Sequence, residues 1–368
     1  MTEARAELHG VSSGEAALPG QRRTRARSMP HDRAVAIWLF ALWALVLAMV
    51  VVGGVTRLTG SGLSMVQWRP LMGALPPISE ADWQEVFGLY QQSPQFQLVN
   101  DWMGLSDFKR IFLWEYVHRL LGRLVGFAFA VPFVYFLVRR RLTTSAALRV
   151  GLAFFLGGAQ GLLGWYMVKS GLSDRPEVSH LRLAAHLSLA FTVGMYLWWL
   201  AFSAWQAPTQ RSQPGPGWLF LLSLAFWPLL ALQIVYGAFM AGTHAGLLFA
   251  TFPQMNGTLL PAPFFRYPSL LDNLVNNPLA IHWVHRILGF VVAGVVALLV
   301  GVVWRATENR AARRSAAVVG LLTVMQIALG AGTVMMGVPT GVAVAHQACA
   351  YLLLSAAVAL TYFMRPLQ

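Results

Sequence analysis

Residues 315–364 read SAAVVGLLTVMQIALGAGTVMMGVPTGVAVAHQACAYLLLSAAVALTYFM, from Ser315 to Met364 without a charged side chain. A helix needs about 20 mostly apolar residues to cross the hydrocarbon of a bilayer. The stretch therefore holds two crossings, and Gly337-Val338-Pro339-Thr340-Gly341 is the turn between them. Working back toward the N-terminus, the same reading places crossings at 34–56, 111–138, 150–168, 180–205, 218–241 and 279–304. The expected fold is an all-α polytopic membrane protein with eight transmembrane helices.

Composition agrees. Charged residues make up 11% and apolar residues 57%, with 14 Trp and 22 Phe, where a soluble domain carries about 25% charged residues. A soluble enzyme and a disordered chain are both excluded. The net charge of +13 does not indicate a nucleic-acid binder, because the basic residues are dispersed between apolar segments instead of lining one face. The single cysteine, Cys349, excludes an intramolecular disulfide, a four-thiolate metal site and covalent haem attachment, so any metal is held by His, Met or carboxylate.

Arginines at 22–33, 139–141, 149, 211, 305–314 and 365 fall on the side of the N-terminus. They outnumber the basic residues on the other side: Arg57, Arg69, Lys109, Arg110, Lys169, Arg175, Arg182 and Arg266. By the positive-inside rule both termini are cytoplasmic. Residues 1–33 read as a basic, disordered cytoplasmic tail. A mitochondrial transit peptide is the rival reading, and Glu3, Glu7 and Glu15 speak against it, which favours a bacterial inner membrane. The long outer loops follow the first and fifth crossings, are rich in Pro, Gly and aromatics, and are expected to fold down over the bundle. Function is therefore sought near the outer face.

The chain repeats. Val117-His118-Arg119-Leu120-Leu121-Gly122 is matched by Val284-His285-Arg286-Ile287-Leu288-Gly289, and Ala184-Ala185-His186 by Val344-Ala345-His346. Gln160 and Gly164 correspond to Gln326 and Gly330, and Gly53, Thr59 and Gly62 to Gly237, Thr243 and Gly246. In chain order the offsets are 184, 167, 166 and 160 residues. A duplicated unit explains them: two pseudo-symmetric four-helix bundles over 34–206 and 218–368, joined by a cytoplasmic linker at 207–217.

A histidine inside a membrane span is costly without a partner. His118, His186, His285 and His346 sit about five to eight residues below the outer ends of the even-numbered crossings, roughly 8–12 Å down at 1.5 Å per residue. A structural, interhelical hydrogen bond is the plain alternative for any one of them. Two per half, at one depth, form a geometry for two bis-histidine metal centres. Two imidazoles are too few for a closed zinc site, whereas haem iron needs one or two axial ligands and an apolar slot. The glycines of the odd-numbered crossings, Gly53, Gly54, Gly157, Gly158, Gly161, Gly164, Gly237, Gly330 and Gly332, thin those helices enough to admit a flat macrocycle, and equally suit close helix packing. Arg119 and Arg286 follow their histidines directly and are placed to meet haem propionates, or to snorkel to lipid phosphates.

The halves differ in one respect. Glu115 is the only acidic residue inside a crossing and lies three positions before His118, on the same helical face; its counterpart is His282. One centre is thus equipped for proton exchange and the other is not, unless Glu115 is the counter-ion of Arg119 or Arg123. His282 is expected to bond a propionate or a loop carbonyl and not a metal. His180 and His244 read as solvated at the outer boundary, and His9 and His31 belong to the tail.

These residues resemble the heme A synthase family. The resemblance runs from about 36 to 362 and rests on Gly53-Gly54-Val55-Thr56-Arg57-Leu58-Thr59 with Ser61-Gly62-Leu63-Ser64, and on Glu115-Tyr116-Val117-His118-Arg119. It rests also on Gln160-Gly161-Leu162-Leu163-Gly164, Arg182-Leu183-Ala184-Ala185-His186, His282-Trp283-Val284-His285-Arg286 and His346-Gln347. It implies haem B on His285 and His346 in the second half, passing electrons. It implies the substrate haem O at His118 and His186 in the first half, with Glu115 required for catalysis. The implied reaction oxidises a porphyrin methyl to a formyl group by successive hydroxylations and loss of water. Implied partners are a heme O synthase, an electron donor, membrane lipid and further copies of the chain in a homo-oligomer; nucleic acid is not among them. The absence of an outer-loop cysteine pair makes the chain similar to the cysteine-free branch of alphaproteobacteria and mitochondria, and Phe249-Ala250 stand where the family usually has Tyr-Asn. Two alternatives remain: a di-haem, cytochrome b-like electron-transfer protein, and a haem carrier for oxidase assembly. Glu115 in one half only favours the enzyme.

Overall fold

The computed structural model describes residues 29–67, 75–172, 176–206 and 216–366. All eight expected crossings are helices long and apolar enough to span a bilayer. They are α1 (Arg33–Leu58), α2 (Leu105–Val138), α3 (Thr144–Lys169), α4 (His180–Trp205), α5 (Gly217–Gly242), α6 (Pro278–Ala306), α7 (Arg310–Met335) and α8 (Thr340–Met364). Most of the tail and of the linker at 207–217 lies outside the described residues. Among those residues the β pairing is one isolated bridge between Met255 and Thr258.

Local chemistry sets the helix ends. The Asp32 carboxylate accepts from the Ala34 and Val35 amides and caps α1; it also takes two hydrogen bonds of 2.6 Å from Arg141 in the α2–α3 turn. The Asp32 amide donates to the Ala204 carbonyl near the end of α4, so one residue ties together helix ends on the N-terminal side of the bundle. Asn277 caps α6, which opens on Pro278, and Asn309 caps α7. The turn expected between α7 and α8 is made by Gly337 and Val338, at φ +74° and +60°.

Within the first half α1 packs on α2 and α4, and α3 packs on α4 and on α2. In the second half α5 packs on α6 and α8, and α7 on α8 and on α6. The halves meet through α4 against α5, α8 against α1, and α8 against α4. The inner part of α8 is the most enclosed segment: Tyr351, Leu354 and Val358 join the core around α1 and α4, while Leu353, Ala357 and Leu360 join the core of α5, α6 and α7. Phe127, Val131, Val134 and Val138 of α2 are exposed at helical spacing, as suits a face whose solvent is lipid.

The outer loops do fold onto the bundle. A short helix, Glu80–Gln91, lays Phe87 and Tyr90 on Phe108, Ile111 and Phe112. This explains why α2 begins at Leu105, six positions before the expected 111: Lys109 and Arg110 lie on an extension of the helix beyond the apolar core, which a search for uncharged stretches cuts off. The second outer loop carries helix Leu270–Asn276, whose buried Asn273 accepts from the Arg266 and Tyr267 amides. The solvated reading of His180 needs correction. Its Nε2 meets the Val275 carbonyl at 3.0 Å and its ring packs edge-on against Phe239. His244 stays half exposed but bonds Glu177 at 3.1 Å and Arg57 at 3.2 Å.

Candidate functional site

Each of the four histidines faces a glycine on an odd-numbered helix. A methyl placed on Gly53 of α1 would stand 3.2 Å from Nε2 of His118, and one on Gly237 of α5 would stand 3.3 Å from Cε1 of His285. On α3 and α7 the approach is closer: 2.9 Å from Gly164 to Cε1 of His186, and 2.9 Å from Gly330 to Cε1 of His346. The same repeat that aligns the histidines therefore aligns the small residues that make room for their rings. His118 and His186 lie within electrostatic reach of one another, as do His285 and His346. His186, His285 and His346 sit within two turns of their helix starts, at the expected depth. His118 is farther from its helix start because α2 continues outward.

Two glutamines hold the rings of α4 and α8. Gln160, one turn before Gly164 on α3, brings Nε2 to 3.1 Å from Nδ1 of His186 and donates to the His186 carbonyl at 3.0 Å. Gln326, one turn before Gly330 on α7, brings Nε2 to 3.3 Å from Nε2 of His346, whose Nδ1 meets the Gln326 carbonyl at 3.1 Å. Gln160 Nε2 also lies 3.3 Å from Nε2 of His186, so each glutamine meets both nitrogens of its ring. Ligation through one nitrogen releases that contact and keeps the other to orient the ring. The sequence paired these glutamines by position; their contact with the histidines needed the helix-to-helix geometry. Gln233 of α5 donates to the His285 carbonyl, a role with no sequence signal.

The halves meet close to these rings. Gly54, next to Gly53, faces α8: a methyl there would stand 3.0 Å from Oε1 of Gln347, the neighbour of His346. The Gln347 amide donates to the Val50 carbonyl at 3.1 Å.

Glu115 is 2% exposed and its carboxylate is fully engaged. Oε1 accepts from Arg119 at 2.6 Å, and Oε2 from the Ser64 hydroxyl and the Met65 amide, each at 2.7 Å. Arg119 also donates to the carbonyls of Met65 and Gln67. In the second half Arg286 donates to His282 at 2.9 Å and to the carbonyls of Phe249 and Thr251. Phe249 and Thr251 are the positions matched to Met65 and Gln67 by the offset of 184. Both arginines, expected at propionates, thus pin the outer loop of their own half. Ser64 has Leu248 as its counterpart, so the hydroxyl, like the carboxylate, belongs to the first half alone.

Among the described residues no three of His, Cys, Asp and Glu converge on one point. The donor set is a pair of imidazoles per half, which suits an ion whose other ligands arrive with it. Residues 36–358 match the profile of COX15-CtaA, cytochrome oxidase assembly protein. The chain belongs to the COX15-CtaA family. Its relatives include the heme A synthase of Nitrosospira multiformis, 42% identical over 339 residues that cover 91% of this chain and 94% of that protein. The heme A synthase of Parvibaculum lavamentivorans is 45% identical over 330 residues, 89% of this chain and 93% of the relative. That of Rhodospirillum centenum is 42% identical over 340 residues, 92% and 91%.

For a COX15-CtaA protein the implied group is an iron porphyrin, which brings four equatorial nitrogens and leaves two axial places. The residues present fit it. Each half offers two imidazoles, each beside a helix stripped of side chain at the facing position, and Nδ1 of His285 is buried without a hydrogen-bond partner.

Proposed function

We propose that the chain is a heme A synthase, oxidising a methyl group of haem O to the formyl group of haem A in the inner membrane of a bacterium, with both termini in the cytoplasm. The observation that carries this reading is the asymmetry at one helical position: Glu115 beside His118, against His282 beside His285, in a family whose relatives bear that name. The halves over 34–206 and 218–368 divide the labour. His285 and His346 would hold haem B, which supplies electrons one at a time when bound. His118 and His186 receive haem O, and Gln160 sets the His186 ring. Two hydroxylations of the methyl carbon, each inserting one atom of dioxygen while two electrons and two protons reduce the other atom to water, give a geminal diol, and loss of water leaves the aldehyde.

Within the first half Glu115 is the group that accepts and returns protons next to the substrate. Arg119 and Ser64 hold opposite oxygens of its carboxylate, so its position is set before the substrate arrives. Arg119 and Arg286 border the two haem sites and hold the loops that close over them, keeping water from the reacting edge.

The test is pigment analysis. The purified protein, given haem O, a reductant and oxygen, is expected to yield haem A on extraction. Recovery of haem O unchanged, with haem B alone as bound pigment, would refute the enzyme and leave an electron-transfer protein or a carrier.

A further inference from the structure

Arg119 and Arg286 each hold the outer loop of their own half through backbone carbonyls, and a further cation stands above one of the two histidine pairs. That cation is Arg182. It lies on α4 four residues before His186, on the same helical face and about 6 Å nearer the outer boundary. Its guanidinium lies over the ring of Tyr166 on α3, 3.8 Å from the centroid, and Nη1 donates to the Tyr166 carbonyl at 2.8 Å. Stacking on an aromatic face holds the planar fork in one orientation. Among the described residues no carboxylate lies within ion-pair distance of it.

A second observation comes from the other half. The position on α8 that corresponds to Arg182, four residues before His346, is Val342. Lys169, at the outer end of α3, corresponds to Met335, and Lys109 and Arg110 on α2 correspond to Asn276 and Asn277. Every one of these cations on the outer rim of the first half has an uncharged counterpart. From its start at Thr340 to His346, α8 carries no cation.

We propose that Arg182 is the anchor for a carboxylate of the ligand that His186 ligates, giving the first half a preference for an anionic porphyrin that the second half does not share. The proposal rests on the reading of the first half as the haem O site. A guanidinium fork pairs a carboxylate through two parallel N–H donors. The half that must capture and release its ligand at every turnover has the charged rim. The half proposed to keep its haem has Val342, Met335, Asn276 and Asn277 at those positions.

The test uses the purified, haem B-containing protein titrated with haem O and with haem O dimethyl ester, followed by the Soret difference spectrum. Wild type is expected to bind the free acid more tightly than the ester. Arg182→Gln is expected to lose about tenfold or more in affinity for the acid and to bind acid and ester alike. Arg182→Lys, which keeps the charge without the fork, should fall between them. An unchanged haem B spectrum shows that the variants are folded. An acid-to-ester ratio in Arg182→Gln equal to that of wild type overturns the proposal and leaves the function standing. Failure of wild type to take up haem O at all refutes the functional reading, and the anchor with it.

Discussion

Replacing Gly330 by alanine tests the histidine–glycine pairing most directly. The added methyl would stand 2.9 Å from Cε1 and 3.4 Å from Nδ1 of His346. Unstrained carbon contacts lie at about 3.5–4.0 Å, so the ring or the α7 backbone must give way by roughly 0.6 Å or more. The ring is also held from the same helix by Gln326, at 3.3 Å and 3.1 Å, and moving it disturbs both contacts. Overpacking of this kind costs about 1–3 kcal/mol, and 1.4 kcal/mol is tenfold in affinity, so retention of a group on His346 should weaken by about five- to a hundredfold. The assay is the optical spectrum and haem content of Gly330→Ala after purification and after stepwise competition with an apo-globin haem scavenger. Gly158→Ala is the control, because a methyl there meets nothing within 4 Å and alanine favours the helix by about 0.5–1 kcal/mol. A Gly330→Ala protein that keeps its haem as tightly as Gly158→Ala, with the same spectrum, would refute the reasoning.

Removing either imidazole of the second half, as His285→Ala or His346→Ala, should abolish the tightly held haem B; a normal low-spin spectrum in both would contradict the assignment. Glu115→Gln should keep haem bound while haem A formation stops, and undiminished product on extraction would reduce Glu115 to a structural ion-pair partner. Ser64→Ala removes a 2.7 Å donor from that carboxylate. A hydrogen bond to a charged group contributes about 1.5–3 kcal/mol, so turnover should fall by about ten- to a hundredfold with haem B content unchanged, whereas Leu248→Ser in the other half should leave turnover as it is.

The crossings were legible because hydrocarbon excludes charge, and a ledger of Arg, Lys, Asp and Glu along the chain locates each helix to within a turn or two. Where it failed, at the start of α2, the helix runs on into an outer layer where Lys109 pairs with Glu80. The histidine pairs were legible because the repeat printed them twice. The partners of Arg119 and Arg286 were not, since those partners are backbone carbonyls, which every residue carries and no residue type announces. The same holds for His180, whose partner is the Val275 carbonyl. The counter-ion reading of Glu115 and the catalytic one were posed as rivals. The carboxylate does pair with Arg119, and Ser64, whose hydroxyl the repeat fails to copy, is the contact that sets this half apart.

Gly53 backs onto His118 while its neighbour Gly54 backs onto Gln347, which adjoins His346. A line from His118 to His346 thus runs through the Gly53–Gly54 peptide unit, the Gln347 side chain and the peptide unit that joins Gln347 to His346. The two halves share this one layer of backbone, and a bulkier residue at position 54 would press on Gln347 and displace the glycine behind His118, so it would be felt on both sides of the seam at once.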